Sequence, residues 1–218
     1  MRYVDSEAKG TIYCRELLTH FMKLTGKRGG KLLDVGCSIG TLVAEANILG
    51  FTALGIDLDS NAIEIGIQLG RPVSHTDLNS FPDSSFDVIV LQHTLEHVSA
   101  PQRFIAALRD KLKPDGYLLI SIPNYRCLLV SVLGGRWYGW QLNQHYLHYS
   151  PKAVAVLFEK ENLKAVNVST NSMDHRTTIS DFLSLPAKQK VLTIVTNFLV
   201  TIAQFFGTGD QIYAIAQK

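Results

Sequence analysis

The segments LLDVGCSIG, residues 32–40, and LGIDLD, residues 54–59, decide the fold of this chain. The first begins with an apolar run that is typical of a strand buried in a parallel sheet. It ends in a turn that contains Gly36 and Gly40. The first glycine lets the backbone turn sharply, and the second lets the following helix pack close to the strand. A second apolar strand then ends at Asp57. This layout is typical of a site for a nucleoside-bearing cofactor at the edge of a parallel sheet.

Strand and helix patterns alternate along the chain. The predicted helices cover residues 10–25, 41–49, 60–69, 101–112, 151–161 and 191–206. The predicted strands cover residues 31–35, 51–56, 72–75, 86–91, 117–122, 164–169 and 212–216. Alternation at this spacing predicts a doubly wound α/β sheet.

The chain length and composition fit one domain. A chain of 218 residues can bury a full core, and we divide it into a helical cap (1–30), a cofactor-binding core (31–124) and a substrate-side region (125–218). The net charge of +2 comes with no basic stripe, which argues against a nucleic-acid partner. Three scattered cysteines fit neither a disulfide framework nor a zinc spacing, so we expect a reducing compartment, the cytoplasm.

The glycine turn favours S-adenosylmethionine over a dinucleotide. A dinucleotide fingerprint needs a glycine where Ser38 stands, and Thr41 ends the turn without a third glycine. A pyrophosphate therefore has poor access, whereas the carboxylate and ammonium of an amino acid need less room. Asp34 is placed to face the ammonium, Asp57 suits both hydroxyls of a ribose, and Leu58 can lie against adenine. A solvated loop residue or a helix cap is the alternative interpretation of Asp57.

The chain resembles class I S-adenosylmethionine-dependent methyltransferases. Within that superfamily it is similar to ubiquinone-biosynthesis O-methyltransferases and to bacterial sugar and natural-product methyltransferases. The resemblance covers roughly residues 31–124 and rests on LLDVGCSIG, GIDLD, HTDLNSFPDSSFDVIVLQHTLEHV and LRDKLKPDGYLLISIPN, with a weaker similarity in RWYGWQLNQHYLHYSP and GTGDQIYAIAQK. It implies a seven-stranded sheet whose last strand is antiparallel, with S-adenosylmethionine as cofactor and S-adenosylhomocysteine as product.

The resemblance also implies roles for residues beyond the glycine turn. Asp77 would accept a hydrogen bond from the adenine amino group, and Leu78 would contact the ring. Gln92 and His93 would line the methyl-transfer cavity. The family usually has a glycine where Ser38 stands, so we expect the serine to be tolerated but to lower the affinity for S-adenosylmethionine. The full set of predicted cofactor contacts is Asp34, Gly36, Cys37, Ser38, Gly40, Asp57, Leu58, Asp77, Leu78 and Gln92.

Histidine is the side chain best suited to assist methyl transfer to a hydroxyl, because its ordinary pKa lies near the working pH. His93 is the first catalytic candidate, since it follows the strand tip where the acceptor should lie. His145 is the second, since we expect its loop to fold over the site. A structural role is the alternative for each.

Residues 93–97 also spell H-x-x-E-H, the inverted zinc-peptidase motif. That motif requires a helix that places both histidines on one face, together with a further ligand. Here the segment directly follows a buried strand, and Pro101 soon begins a separate helix. We therefore expect no metal, and we expect Glu96 and His97 to cap the next helix or to hold the loop.

Two segments of the last third bear on the acceptor. GGRWYGW, residues 134–140, has hinge-permitting glycines and aromatics that can cover an apolar acceptor, so it predicts a lid; a rigid, packed insertion is the alternative. The helix at Val191–Phe206 is too short and too polar to span a bilayer. It can pack on the domain, form a homodimer interface or contact a membrane peripherally. The first two are favoured because only Lys188 and Lys190 flank it with positive charge.

These observations predict a methyltransferase that acts on a small-molecule acceptor, at oxygen rather than nitrogen or carbon. The alternatives are a non-catalytic cofactor-binding or scaffold protein of the same fold, a membrane-associated methyltransferase acting on a polyprenyl or lipid acceptor, and a zinc hydrolase.

Overall fold

The structure is a computed structural model that describes residues 7–137, 139–171, 194, 198, 201–203 and 207–218. The helices are α1 (Glu7–Thr25), α2 (Thr41–Ile48), α3 (Ser60–Gln68), α4 (Pro101–Lys111), α5 (Leu128–Leu133) and α6 (Pro151–Lys160). The strands are β1 (Gly30–Val35), β2 (Phe51–Ile56), β3 (Val73–Ser74), β4 (Phe86–Gln92), β5 (Leu112–Pro123), β6 (Lys164–Asn171) and β7 (Gln211–Gln217). Short 3₁₀ turns lie at Leu78–Ser80, Leu95–His97 and Gly134–Arg136.

All seven strands form one sheet in the order β3-β2-β1-β4-β5-β7-β6. The first five strands are parallel, and β7 runs antiparallel to both β5 and β6. The predicted seven-stranded sheet with an antiparallel last strand is therefore confirmed. The chain leaves β1 toward β2 and later returns to β4 on the other side of β1. In sheets of this kind, such a reversal of strand order is where a ligand crevice is expected, here at the carboxyl ends of β1 and β4.

Apolar side chains cover both faces of the sheet. The adjacent residues Leu32 and Leu33 are fully buried but belong to different clusters, because successive side chains of a strand point to opposite faces. Leu33 and Ile89 pack with residues of α4 and α6, whereas Leu32 and Val88 pack with residues of α1 and α2. A strand buried on both faces explains the continuous apolar run of β1.

The substrate-side region departs from the sequence predictions in part. Trp137 is buried against Cys127 and Leu129, with the Trp140 ring edge-on to it. For these residues the packing supports the packed insertion rather than the lid, and Tyr138 lies outside the described residues. The helix predicted over 191–206 also lies mostly outside them, although residues 194, 198 and 201–203 are helical.

An ion-pair cluster around Asp87 joins the amino ends of β1, β4 and β5, at the opposite end of these strands from the glycine turn. The Asp87 carboxylate, near the start of β4, accepts hydrogen bonds from Lys27 Nζ at 2.9 Å, Lys113 Nζ at 2.7 Å and Lys31 N at 2.9 Å. Burial opposes the ionised form of Asp87, but these donors outweigh it and hold the pKa of the carboxyl well below its ordinary value of 3.8. The cluster joins the loop after α1, β1, β4 and the start of β5.

We expect Asp87→Asn to lower the free energy of unfolding by about 2 kcal/mol at neutral pH, because the variant loses charge-assisted hydrogen bonds. A depressed folded-state pKa stabilises the fold above the unfolded-state pKa and ceases to do so as the pH falls through the folded-state value. The difference between wild type and variant should therefore be constant from neutral pH down to about pH 5 and shrink below about pH 4. Urea unfolding at several pH values measures it.

Asp83→Asn is the matched control. The Asp83 side chain is 70% exposed and pairs with Lys111 alone, whereas that of Asp87 is 17% exposed. Asp83→Asn should therefore lower the free energy of unfolding much less than Asp87→Asn does. Equal losses in the two variants would contradict the role given to Asp87.

Candidate functional site

The turn after β1 requires glycine at both predicted positions. Gly36 and Gly40 have positive φ angles of 80° and 77°, in the left-handed region. A side chain at Gly36 would collide with Thr94, and one at Gly40 would collide with Val73. Thr94 is itself fixed, since its hydroxyl donates a hydrogen bond to Val35 O at 2.8 Å. The glycine turn therefore fits tightly between the ends of β1, β3 and β4.

Asp57 fastens the glycine turn to the end of β2. Ser38 has a φ angle of 50°, and its backbone N–H donates to Asp57 Oδ2 at 2.7 Å. The other oxygen, Oδ1, accepts from Asp59 N at 2.9 Å. Asp59, and not Asp57, caps α3, so the helix-cap alternative for Asp57 is wrong. Each carboxylate oxygen has a second lone pair, so Asp57 retains acceptor capacity for the hydroxyls of a ribose.

Asp34 lies buried near the end of β1, with an exposed fraction of only 2%. Its Oδ1 atom has no hydrogen-bond partner among the described residues. Burial, with a smaller contribution from the charge of Asp57, raises the pKa of Asp34 to about 7. A buried carboxyl oxygen without a donor is costly, so this position favours a bound ammonium group.

The remaining predicted cofactor residues differ in how they are placed. Leu58 is 79% exposed beyond β2, as a residue lying against a ring requires. The exposed Asp77 carboxylate accepts from Asn79 N at 2.7 Å and caps the next 3₁₀ turn. Leu78 and Cys37 are buried in the two apolar clusters, where Cys37 packs against Gly55. A cofactor contact through either of these two side chains stays a prediction.

Helix α1 contributes to the acceptor side of the crevice, which the sequence analysis did not predict. The Tyr13 hydroxyl hydrogen-bonds Ser121 Oγ at 2.6 Å, and Cys14 Sγ donates to Gln92 Oε1 at 3.4 Å. Gln92 and Ser121 are paired residues of β4 and β5. Burial raises the pKa of Tyr13 to about 12, so this hydroxyl keeps its proton. No local motif marks Tyr13, because only the docking of α1 places it here.

His93 directly follows β4 and has a left-handed backbone conformation. Its φ angle is 54°, and its backbone N–H donates to Ser121 O at 2.9 Å. The ring atom Nδ1 lies 3.3 Å from Glu96 Oε1, while Nε2 is buried and has no hydrogen-bond partner among the described residues. Glu96 is itself only 2% exposed. Among the described residues, His93 therefore keeps one imidazole nitrogen without a hydrogen-bond partner.

Glu96 and His97 hold the neighbouring loop rather than capping α4. The N-cap of α4 is Ala100, and no side chain caps it. Glu96 O instead accepts from Tyr146 N at 2.8 Å, and His97 Nδ1 hydrogen-bonds Gln144 O at 3.1 Å. Of the two roles expected from the sequence, the cap is wrong and the loop contact is confirmed.

The loop that carries His145 packs on the Leu95–His97 turn. The His145 ring is 7% exposed, and its centroid lies 4.9 Å from that of His97. Burial lowers the pKa of His145 and favours its neutral form, although a hydrogen bond to Gly139 O opposes the shift. The loop thus contacts Glu96 and His97, just after β4, and the expectation that it folds over the site stays a prediction.

The comparisons with known proteins agree with this geometry. A family model described as a methyltransferase domain matches residues 8–168. The chain belongs to this methyltransferase family. The ubiquinone biosynthesis O-methyltransferase of Nitrosococcus oceani is 34% identical over 56% of this chain and 55% of that protein. The mitochondrial protein of the same name from Schizosaccharomyces pombe is 33% identical over 48% and 42%. The methyltransferase chain thus spans about half the length of these relatives.

Solved structures show the same fold. An S-adenosylmethionine-dependent methyltransferase from Archaeoglobus fulgidus superposes with a TM-score of 0.68 at 16% identity and covers 100% of both chains. The phosphoethanolamine N-methyltransferase 2 of Haemonchus contortus, in complex with S-adenosylmethionine, has a TM-score of 0.60 at 17% identity, covering 93% of this chain and 52% of that one. The class I methyltransferase fold is therefore confirmed. Across the described ranges, no helix combines the length and apolar character needed to cross a membrane.

Asp57→Ala should weaken binding of S-adenosylmethionine by roughly 1.5–3 kcal/mol, or roughly 10- to 150-fold, because the ribose loses charge-assisted hydrogen bonds. Calorimetric titration measures the change. Asp59→Ala is the matched control, since it removes the cap of α3 but leaves the neighbouring Asp57 carboxylate. An affinity unchanged in Asp57→Ala would remove this residue from the cofactor site.

The raised pKa of Asp34 predicts a pH-dependent affinity. The ionised carboxylate pairs with an ammonium, and the protonated form does not, so affinity should fall about tenfold between pH 8 and pH 6. Titrations of wild type and Asp34→Asn at each pH test this. At pH 8 the variant should bind the cofactor more weakly than the wild type. Its affinity should also depend much less on pH, because only the wild type carries the Asp34 carboxyl, whereas titration of the cofactor itself affects both proteins equally. The same pH dependence of affinity in both proteins would contradict the contact between Asp34 and the ammonium group.

Proposed function

We propose that this protein transfers a methyl group from S-adenosylmethionine to a hydroxyl oxygen of a small molecule, with S-adenosylhomocysteine as the other product. One observation carries the proposal: the glycine turn that is hydrogen-bonded to Asp57 and the residue His93 follow the carboxyl ends of the adjacent parallel strands β1 and β4. The names of the curated relatives, ubiquinone biosynthesis O-methyltransferases, support oxygen as the accepting atom.

Bound S-adenosylmethionine supplies an electrophilic methyl group, so the protein mainly has to position the acceptor and exclude water. While the acceptor oxygen receives this methyl group, His93 Nε2 would accept the hydroxyl proton. Glu96 supports this role because its carboxylate holds His93 Nδ1 at 3.3 Å, which leaves Nε2 as the proton acceptor. The Tyr13 hydroxyl, retained in its protonated form and hydrogen-bonded to Ser121, is a proposed second contact of the acceptor.

His145 remains the second candidate for the base. Its burial and its lowered pKa keep the ring neutral, which a proton acceptor requires. Its Nδ1 atom is occupied by Gly139 O at 3.0 Å, so only Nε2 is available. We favour His93 because it directly follows β4, next to Gln92.

The compartment and the contact surface are further parts of the proposal. All three cysteines are buried and free, which supports a reducing compartment, and we propose the cytoplasm. Ile194 and Phe198 are 57% and 65% exposed, which favours a contact surface on the segment 191–206. A homodimer and a peripheral membrane contact are its two candidates, and the second suits a lipid acceptor.

Titration with S-adenosylmethionine, and separately with S-adenosylhomocysteine, tests the cofactor first. We expect micromolar binding of both, because the glycine turn and both carboxylates are in place. Circular dichroism establishes that the protein used is folded. Folded protein that binds neither compound would favour the non-catalytic scaffold.

His93→Ala should slow methyl transfer by roughly 10²- to 10⁴-fold with little change in cofactor affinity, as expected for loss of a general base. Transfer of label from tritiated S-adenosylmethionine to a panel of phenols and sugar alcohols measures the rate. His20→Ala is the control, since His20 lies on α1 and contacts Tyr213. A rate that is unaltered in His93→Ala would exclude His93 as the base.

A further inference from the structure

Three metal-ligating side chains converge beside the tip of β4. Glu96, His97 and His145 each offer one ligand atom, and these atoms all lie within 4.8 Å of one another. The first two belong to the Leu95–His97 turn and the third to a loop some fifty residues later. Backbone hydrogen bonds join the two segments, since Tyr146 N and Leu147 N both donate to Glu96 O, at 2.8 and 3.3 Å. The cluster is therefore held by backbone contacts that do not depend on the three side chains.

Both histidines of the cluster are fixed in the tautomer that a metal ligand requires. His97 Nδ1 lies 3.1 Å from Gln144 O, and His145 Nδ1 lies 3.0 Å from Gly139 O. A carbonyl oxygen only accepts, so each Nδ1 carries the hydrogen and each neutral ring keeps its Nε2 lone pair free. Donation of the second ring N–H to a backbone carbonyl is the usual outer-shell arrangement of a metal-bound histidine.

Glu96 adds a negative charge that the described residues only partly balance. The residue is 2% exposed, its Oε1 atom faces His93, and its Oε2 atom has no hydrogen-bond partner among the described residues. A buried carboxylate with a bare oxygen is destabilising unless a cation or a donor satisfies it. A cation between Glu96 and the two Nε2 atoms would remove that cost.

We propose that Glu96, His97 and His145 form a binding site for one divalent cation of the zinc class. Two imidazole nitrogens and one carboxylate oxygen suit Zn²⁺, Co²⁺ or Ni²⁺, whereas Mg²⁺ and Ca²⁺ prefer oxygen ligands. Three protein ligands leave a coordination position open for water or for an oxygen of a bound molecule. The site is not the H-x-x-E-H arrangement, because the segment forms a 3₁₀ turn and His145 takes the place that His93 would have in that motif.

Metal titration tests the site without cofactor or acceptor, so its result is independent of the proposed methyl transfer. The full chain is freed of metal with a chelator, dialysed and titrated calorimetrically with ZnCl₂ and, separately, with MgCl₂. We expect one Zn²⁺ per chain and much weaker binding of Mg²⁺. Replacement by Co²⁺ should give visible absorption bands of a nitrogen- and oxygen-ligated ion, and elemental analysis gives the stoichiometry.

Variants connect the binding to these residues. His97→Ala is the decisive variant, since His97 is exposed and its truncation leaves the core intact. It should weaken Zn²⁺ binding by more than the roughly 10- to 100-fold that loss of an outer-shell partner causes. Glu96→Gln keeps the side-chain volume at the buried position and should have a similar effect. His20→Ala, remote on α1, should bind Zn²⁺ as the wild type does.

Two results would overturn the proposal. Folded wild-type protein that takes up no stoichiometric Zn²⁺ would exclude the site. Zn²⁺ binding that survives unchanged in both His97→Ala and Glu96→Gln would place the ion elsewhere in the chain. Thermal unfolding of each variant, with and without ZnCl₂, separates loss of the site from loss of the fold, because a bound ion raises the midpoint only where the site is intact.

Discussion

The sharp turn at the end of β1 is the constraint on which the rest of this site depends. Position 36 requires glycine, because its backbone is left-handed and because Thr94, hydrogen-bonded to Val35 O, fills the space that a side chain would need. The turn brings Ser38 N to Asp57, so the ends of β1 and β2 are joined by a 2.7 Å hydrogen bond. One backbone conformation thereby fixes the cofactor crevice and its two carboxylates.

The carboxylates of this protein show how surroundings set their chemistry. Asp34 and Asp87 both lie on central strands. Within the described part of the chain, Asp34 Oδ1 has no donor, whereas Asp87 accepts from two lysine side chains and a backbone N–H. Burial therefore raises the pKa of Asp34 to about 7, and donors lower that of Asp87. The surroundings of Asp34 suit ligand binding and those of Asp87 suit stability. The two residues lie at opposite ends of the central strands.

The proposed acceptor side is built by docking rather than by a motif. Helix α1 brings Tyr13 to Ser121, and the loop before α6 brings His145 to Glu96 and His97. These contacts join segments far apart in the chain.

The alternating apolar pattern was enough to predict the order of strands and helices, because buried parallel strands and amphipathic helices have distinct periods. The spacing of Gly36 and Gly40 was enough to predict the turn after β1, because that turn is local, whereas a cofactor contact at Asp57 stays a prediction. The positions of Tyr13 and Ser121 and the meeting of Glu96 with His145 could not be predicted, since no pattern along the chain records which distant segments pack together. The sequence by itself thus determined the sheet and the glycine turn, through local backbone preferences and burial. Only the tertiary structure decided which polar side chains share the acceptor side, because long-range packing sets those distances.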